Sequence, residues 1–198
     1  QSILEDNDIL FTGSGSDASK ICMDKVKCKN ILRNNNYSTP DWYELNSYHE
    51  ISKSFLPCIV KPNAQGSTFG LSIVEKMSDL DKAVSNSLKY DNDVLLEKYV
   101  AGREITVGIL DGNALPIIEI LPSHELYDYE CKYTPGMTKY ICPADLSKDL
   151  KNKIMHDSLK IFDLLGCEGY GRIDYIIDDN NYYFLEINTL PGMTSTSL

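Results

Sequence analysis

Cations are scarce in this chain: its 198 residues carry 19 lysines and arginines against 29 aspartates and glutamates, a formal net charge of −10. Without a cationic surplus to neutralise a phosphate backbone, no nucleic-acid partner is expected. Long apolar runs are missing too. Nothing approaches the roughly 18 residues that a membrane span needs, so no membrane association is expected. No charged-then-apolar leader opens the chain, although a start at Gln1 leaves room for a segment removed earlier. The six cysteines include no C-x-x-C pair. That removes the usual zinc and dithiol signatures and leaves free, buried thiols in a reducing cytoplasm as the expectation. The three histidines, His49, His124 and His156, stand in unlike contexts and suggest no catalytic assignment. A Walker A motif is absent, because no G-K-[ST] follows any glycine-rich stretch.

What is present is an ordinary globular composition, 42% hydrophobic and 24% charged, enough for one large or two small cores. The opening stretch to Ser19 has a short apolar run ending in a Gly/Ser cluster and looks like the tail of a preceding unit. "MDKVKCKNILRNNN" reads as a helix with Asp24 as N-cap and a loose stripe of Val26, Ile31 and Leu32. "STPDWYEL" reads as a linker. "FLPCIVKP" and "LSIV" read as strands joined by the turn "AQGSTFG". "SDLDKAVSNSLKY" is a helix burying Leu80, Ala83, Val84 and Leu88. "DVLLEKYV" is a strand, and after Ala101-Gly102 come the strands "EITVGIL" and "ALPIIEIL", joined by an Asp111-Gly112 hairpin turn. Residues 122–143 show no regular period, and a loop of that length is usually functional. "LSKDLKNKIMHDSLKIFDLLG" is a helix ending at Gly166, with Leu150, Ile154, Leu159, Ile161 and Leu165 for burial. "GRIDYIID" and "YYFLEIN" close the chain as two strands. Hairpins interspersed with helices give an α+β architecture broken near residue 102 into two lobes.

Alternation along a strand puts Arg172 with Asp174 on one face, and Glu186 with Asn188 on one face. Whether the two pairs meet is a question of parity. A three-residue loop at Asp179–Asn181 sets Asp174 opposite Glu186 and Arg172 opposite Asn188. A two-residue loop sends the pairs to opposite faces. If the pairs meet, two carboxylates, a carboxamide and a guanidinium converge, an oxygen-rich set suited to Mg2+ or Mn2+ beside phosphates. The bland alternative is an exposed hairpin face of mixed charge.

The loop Gln65–Gly70 offers backbone N–H groups and two hydroxyls, Ser67 and Thr68, to an anion, or is a plain hairpin turn. Lys61 either neutralises a phosphate or snorkels from a sheet edge. "EKYVAGRE" crosses the lobe boundary. Its backbone can pair with an adenine edge while Glu97 and Glu104 accept from amino or ribose hydroxyl groups. A solvated linker is the other reading.

Taken in order, "FTGSG…MDK", "IVKPNAQGSTFG", "LLEKYVAGREITVGIL", "YDYECKY", "CPADL", "GYGRIDYIID" and "FLEINTLPGMTSTSL" closely resemble the central and C-terminal parts of the D-alanine–D-alanine ligases. These are ATP-grasp enzymes of bacterial cell-wall synthesis, and the resemblance spans nearly the whole chain. It implies an ATP-grasp fold, two α+β lobes with the nucleotide site between them. Residues 1–20 would be a remnant of the family's N-terminal domain and linker, 21–102 the central lobe and 103–198 the C-terminal lobe. It implies Lys25, Lys61 and Lys132 on ATP phosphates under the glycine-rich loop. Glu97, Lys98, Tyr99, Val100 and Leu185 would line the adenine site, and Glu104 would hold the ribose. Asp174, Glu186 and Asn188 would bind two Mg2+ or Mn2+ ions. Arg172 and the Gly192 N–H would stabilise a tetrahedral oxyanion, Ser67 and Tyr133 would orient the substrates, and Ser197 and Leu198 would hold the second D-alanine.

Tyr133 favours an amine nucleophile, because relatives that use D-lactate lack a tyrosine there. Leu126 departs from the aromatic that many relatives place beside the adenine. The family's N-terminal domain, which carries the glutamate for the first D-alanine's ammonium group, has no match here, nor does a closing helix after "TSL", so the chain is expected to be a piece of a longer polypeptide. The implied partners are ATP and D-alanine, with a homodimer for the full-length enzyme. A nucleotide-binding fragment without turnover, or an ATP-grasp ligase for other substrates, are the alternatives.

Overall fold

A computed structural model describes residues 1–66, 68–123, 134, 136–179 and 181–193. Two antiparallel sheets organise them. The smaller has the order β1-β4-β2-β3, from Trp42–Glu44 (β1), Cys58–Pro62 (β2), Ser72–Val74 (β3) and Val94–Lys98 (β4). The larger has the order β10-β9-β5-β7-β8, from Arg103–Leu110 (β5), Ile118–Pro122 (β7), Thr138–Ile141 (β8), Tyr170–Asp178 (β9) and Asn181–Asn188 (β10). The short β6, Asn113–Ala114, pairs with the end of β5. The chain crosses from the smaller sheet to the larger at residues 99–102.

Each sheet has a core on its outer side. Cys58, Val60, Leu96 and Val94 of the smaller sheet pack with Leu80, Ala83 and Val84 of helix α4 (Leu80–Ser87). The larger sheet packs Ile105, Val107, Ile173, Tyr175, Phe184 and Ile187 against helices α2 (Ser16–Met23), α3 (Lys25–Asn34) and α5 (Lys148–Leu164). Thus α2 and α3 precede the smaller sheet in the chain but belong to the core of the larger one. Strand alternation turns the opposite faces inward: Ile59, Lys61, Leu95 and Glu97 from one sheet, Glu104, Thr106, Arg172, Asp174 and Glu186 from the other.

Local signals account for most boundaries. Asp24 accepts from the Lys27 N–H at 2.9 Å and starts α3. Ser147 caps α5 through the Leu150 N–H at 3.3 Å, and Gly166, at φ +70°, ends its last turn. Asp111 and Gly112 both take positive φ, as a tight hairpin turn demands.

Several expectations need correction. The opening stretch forms α1 (Ser2–Asp6) and α2, and the supposed linker holds β1 on the smaller sheet's edge. "ALPIIEIL" breaks into β6 and β7, because β5 pairs with each in a different place. Part of the loop 122–143 is strand β8, which pairs with β7. In α4 Ser87 is buried while Leu88 is exposed. The buried face of α3 is Lys25, Cys28, Lys29 and Leu32, not the stripe with Val26 and Ile31. Cys142 is exposed, whereas Cys22, Cys28, Cys58 and Cys167 are buried free thiols. Among the described residues, no helix is long and apolar enough to cross a membrane.

Candidate active site

The β9–β10 hairpin reaches the expected register by an unexpected route. Asn181 pairs with Asp178, so two residues, not three, separate the strands. Left alone, that loop would send Glu186 and Asn188 to the core side beside Phe184. A bulge at Leu185 inserts one extra residue between the Phe184–Tyr175 and Glu186–Asp174 pairs. It resets the parity, so that Glu186 faces Asp174 and Asn188 faces Arg172, both pairs toward the cleft. The extra residue, Leu185, is itself directed at the cleft wall.

Asp174 is the buried centre of this cluster, 5% exposed. Its Oδ1 accepts from Thr106 Oγ1 at 2.6 Å and Arg172 Nε at 3.0 Å; its Oδ2 accepts from Arg172 at 3.0 Å and Asn188 Nδ2 at 3.1 Å. Charge-assisted, two-pronged bonding of this kind holds a carboxylate in one orientation. Glu186 stands opposite, with its Oε2 3.7 Å from Lys25 Nζ. Among the described residues no three histidine, cysteine or acidic side chains gather as a cation site. The donors offered here are two carboxylates and a carboxamide, all hard oxygen ligands.

Across the cleft, Lys25 and Lys61 face these acids. Lys25 Nζ donates to the Gln65 carbonyl at 2.7 Å and the Asn63 carbonyl at 3.4 Å, which ties it to the base of the glycine-rich loop. Burial lowers its pKa, partly offset by Glu186. Asn63, which the sequence did not point to, accepts from the Val26 N–H at 2.9 Å and donates to Asp24 at 2.9 Å. It thereby fixes the start of α3 against the end of β2. Gly70 takes φ +72°, and a Cβ there would lie 2.7 Å from the Tyr90 ring. The loop's return therefore needs glycine.

Lys61 Nζ sits 2.8 Å from Glu97 Oε2, and Lys29 Nζ lies 3.2 Å from the same oxygen. Glu97 is 1% exposed. Burial alone would raise its pKa, but the two ammonium groups outweigh it and the net shift is downward, so it is a carboxylate. Its carboxylate is committed to these lysines, although the residue also lines the cleft. Beyond it the cleft continues as a mainly apolar slot of about 350 Å3 walled by Ile59, Tyr99, Val100, Ile120, Ile176 and Leu185, with Glu104 lining both parts. The Lys98 and Tyr99 N–H groups are taken by the Asp41 and Pro57 carbonyls at 2.7 and 3.1 Å. The Lys98 ammonium turns outward to the Ser54 and Leu56 carbonyls. Lys98 therefore offers the slot only its backbone.

The structure thus gathers Lys25, Lys61, Glu97, Glu104, Asp174, Leu185 and Glu186 around one cleft, with Arg172 and Asn188 bonded to Asp174. Gly192 lies four residues beyond the end of β10. Ser67, Lys132, Tyr133, Ser197, Leu198 and Leu126 lie outside the described residues. Lys29 and Asn63 were missed; the signal for Lys29 was its position one helical turn after Lys25.

The model of a family described as the D-ala D-ala ligase C-terminus matches residues 24–198. A D-alanine–D-alanine ligase of Syntrophotalea carbinolica is 42% identical over 200 residues, spanning 100% of this chain and 66% of the relative. One from Desulforamulus reducens is 43% identical over 213 residues, spanning 100% of this chain and 68% of the relative. Among solved structures, the D-alanine–D-alanine ligase of Bacillus anthracis superposes with a TM-score of 0.86 at 38% identity, covering 100% of this chain and 66% of that one. The same enzyme complexed with ATP gives 0.84 at 35% identity, covering 100% of this chain and 65% of that one. The chain spans about two thirds of the length of each.

Proposed function

Since the chain belongs to the D-alanine–D-alanine ligase family and has its ATP-grasp fold, we propose that it carries the ATP-binding and bond-forming part of an enzyme joining two D-alanines. The reaction gives D-alanyl-D-alanine, a peptidoglycan precursor, with ADP and phosphate. The carrying observation is the cleft itself: Lys61 of the smaller sheet and Lys25 at the start of α3 face paired acids of the larger sheet, and an apolar slot adjoins them.

A carboxylate is a poor electrophile. Transfer of the ATP γ-phosphoryl group to the first D-alanine's carboxylate oxygen makes an acyl phosphate and releases ADP. The amine of the second D-alanine then adds to the acyl carbon, phosphate departs with the bonding pair, and the ammonium proton is lost. In this reading Lys25, Lys61 and Lys132 hold the phosphates, and the adenine enters the slot beside Lys98, Tyr99, Val100 and Leu185. Glu97 holds Lys61, and Glu104 takes the ribose hydroxyls. Arg172 and the Gly192 N–H bear the oxyanion's charge. Ser67 and Tyr133 orient the substrates, and Ser197 with Leu198 grips the second D-alanine.

The donor set fits Mg2+ or Mn2+: Asp174 and Glu186 oppose each other across adjacent strands with Asn188 alongside. These three residues would hold two such ions, which would offset phosphate charge during transfer. The setting proposed is the cytoplasm, consistent with the free thiols, and the full-length enzyme is proposed as a homodimer.

Calorimetry with Mg-ATP tests the nucleotide site, and phosphate release stimulated by D-alanine tests the ligation. Mg-ATP binding without release would leave a nucleotide-binding portion only. Release stimulated by another amino acid but not D-alanine would reassign the substrate.

A further inference from the structure

Lys29 reaches no surface: its exposure is 0%. It sits one turn beyond Lys25 on α3, so both lysines leave the helix on the same side. Its ammonium lies 3.2 Å from Glu97 Oε2, donates to Thr39 Oγ1, and stands 5.6 Å from the centre of the Trp42 ring. Thr39 in turn donates to the Phe184 carbonyl at 3.0 Å, just before the Leu185 bulge. A chain of polar contacts therefore runs from β10 through α3 to Glu97 on β4 and Lys61 on β2.

A charge count gives this arrangement meaning. Glu97 paired with Lys61 alone would be neutral, and the lysine's charge would be spent before any anion arrived. With Lys29 present, two ammonium groups share one carboxylate and a single positive charge is left over. Lys61 is the member that lines the cleft beside Lys25; Lys29 is shielded behind Glu97. Burial pushes the Lys29 pKa down to about 8, and Glu97 holds it from falling further. Lys29 is therefore still an ammonium at neutral pH.

We infer that Lys29 is a positioning residue for phosphate binding, acting through Glu97 so that the charge of Lys61 stays available to a polyphosphate in the cleft. The inference rests on the reading of the cleft as a nucleotide site. A lysine that merely ties α3 to β4 would matter equally for every ligand of the cleft. One that sets the charge of Lys61 matters in proportion to the phosphates the ligand carries.

The test is titration calorimetry of Lys29→Met with adenosine, ADP and Mg-ATP. Adenosine should bind within about twofold of the unaltered chain, while Mg-ATP weakens on the order of tenfold and ADP by less. In Lys29→Met/Glu97→Gln, one carboxylate and one ammonium are removed together. The ratio of Mg-ATP to adenosine affinity should return to that of the unaltered chain. Equal weakening for all three ligands overturns the inference, as does a double variant whose ratio stays at the Lys29→Met value. If Lys29→Met does not fold, the double variant, which leaves no carboxylate at position 97, carries the test: a ratio reduced about tenfold refutes the idea. Failure of the unaltered chain to bind Mg-ATP would instead refute the nucleotide site, a separate result.

Discussion

Glu186 keeps 28% of its side chain exposed, with Lys25 as a partner 3.7 Å away. Lys25 is buried, but its ammonium also donates to the Gln65 and Asn63 carbonyls, so it stays bonded without Glu186 and the loss is about 1 kcal/mol. Glu186→Gln should therefore lower the melting temperature only slightly, while metal-dependent turnover of the full-length enzyme falls by more than about a hundredfold. Steady-state phosphate release beside a thermal melt checks both halves. Acid stability is read elsewhere, at Glu119, whose carboxylate takes two bonds of 2.7 and 2.6 Å from Arg103. That bonding lowers its pKa in the folded chain, as Lys29 and Lys61 lower that of Glu97. Below the ordinary glutamate value the unfolded chain takes up protons that the folded chain refuses, so stability present above pH ~4.5 is lost as pH falls through the lower folded values. Urea midpoints between pH 6 and 3 should show the decline. Glu119→Gln should remove about 1 kcal/mol of it, allowing for screening at the half-exposed Arg103. Alternation along a strand put Arg172 with Asp174 and Glu186 with Asn188, but it left open whether the two pairs meet, which the bulge at Leu185 decides. Lys29 was not legible, because a lysine on a polar helix reads as a solvated face until the packing of α3 under β4 is known.

At the scale of elements, the bulge at Leu185 decides what β10 can present. Leu185→Ala trims the wall shared by both parts of the cleft without touching the parity. Adenine-nucleotide affinity should fall about three- to tenfold by calorimetry, with the metal dependence of turnover unaltered. Gly102, between β4 and β5, is more constrained. A Cβ there would lie 2.1 Å from the Ile177 carbonyl oxygen, and backbone cannot yield as a side-chain tip can. Gly102→Ala should cost about 3 kcal/mol, a fall of roughly 10 °C in a differential scanning melt. The sequence made the Asp111-Gly112 turn, the Asp24 cap and the long helices and strands readable, since each has a local chemical signature. It did not reveal β1 and β8, which are short edge strands whose formation depends on the neighbour they pair with. Nor did it reveal the bulge, which is a property of two strands together.

Across the whole molecule, the cleft proposed for the nucleotide is lined by both sheets. Nucleotide binding should therefore couple the two cores. Saturation with Mg-ATP at about a hundred times its dissociation constant should add about 2.7 kcal/mol to unfolding, provided the unfolded chain does not bind it. Differential scanning calorimetry with and without Mg-ATP checks this, and a melting temperature indifferent to nucleotide would speak against a shared site. The α+β plan was readable in the sequence, but the allegiance of α3 was not, because chain order says nothing of which sheet a helix covers.

That allegiance limits how the jaws move. Rooted in one half by Cys28 and Leu32, α3 clasps the other half through Lys25 on Gln65 and Lys29 on Glu97. Swinging the sheets apart would strip a fully enclosed ammonium of its counter-ion, a heavy penalty. One helix thereby fastens the two halves to each other beside the cleft that Lys25 and Lys61 line.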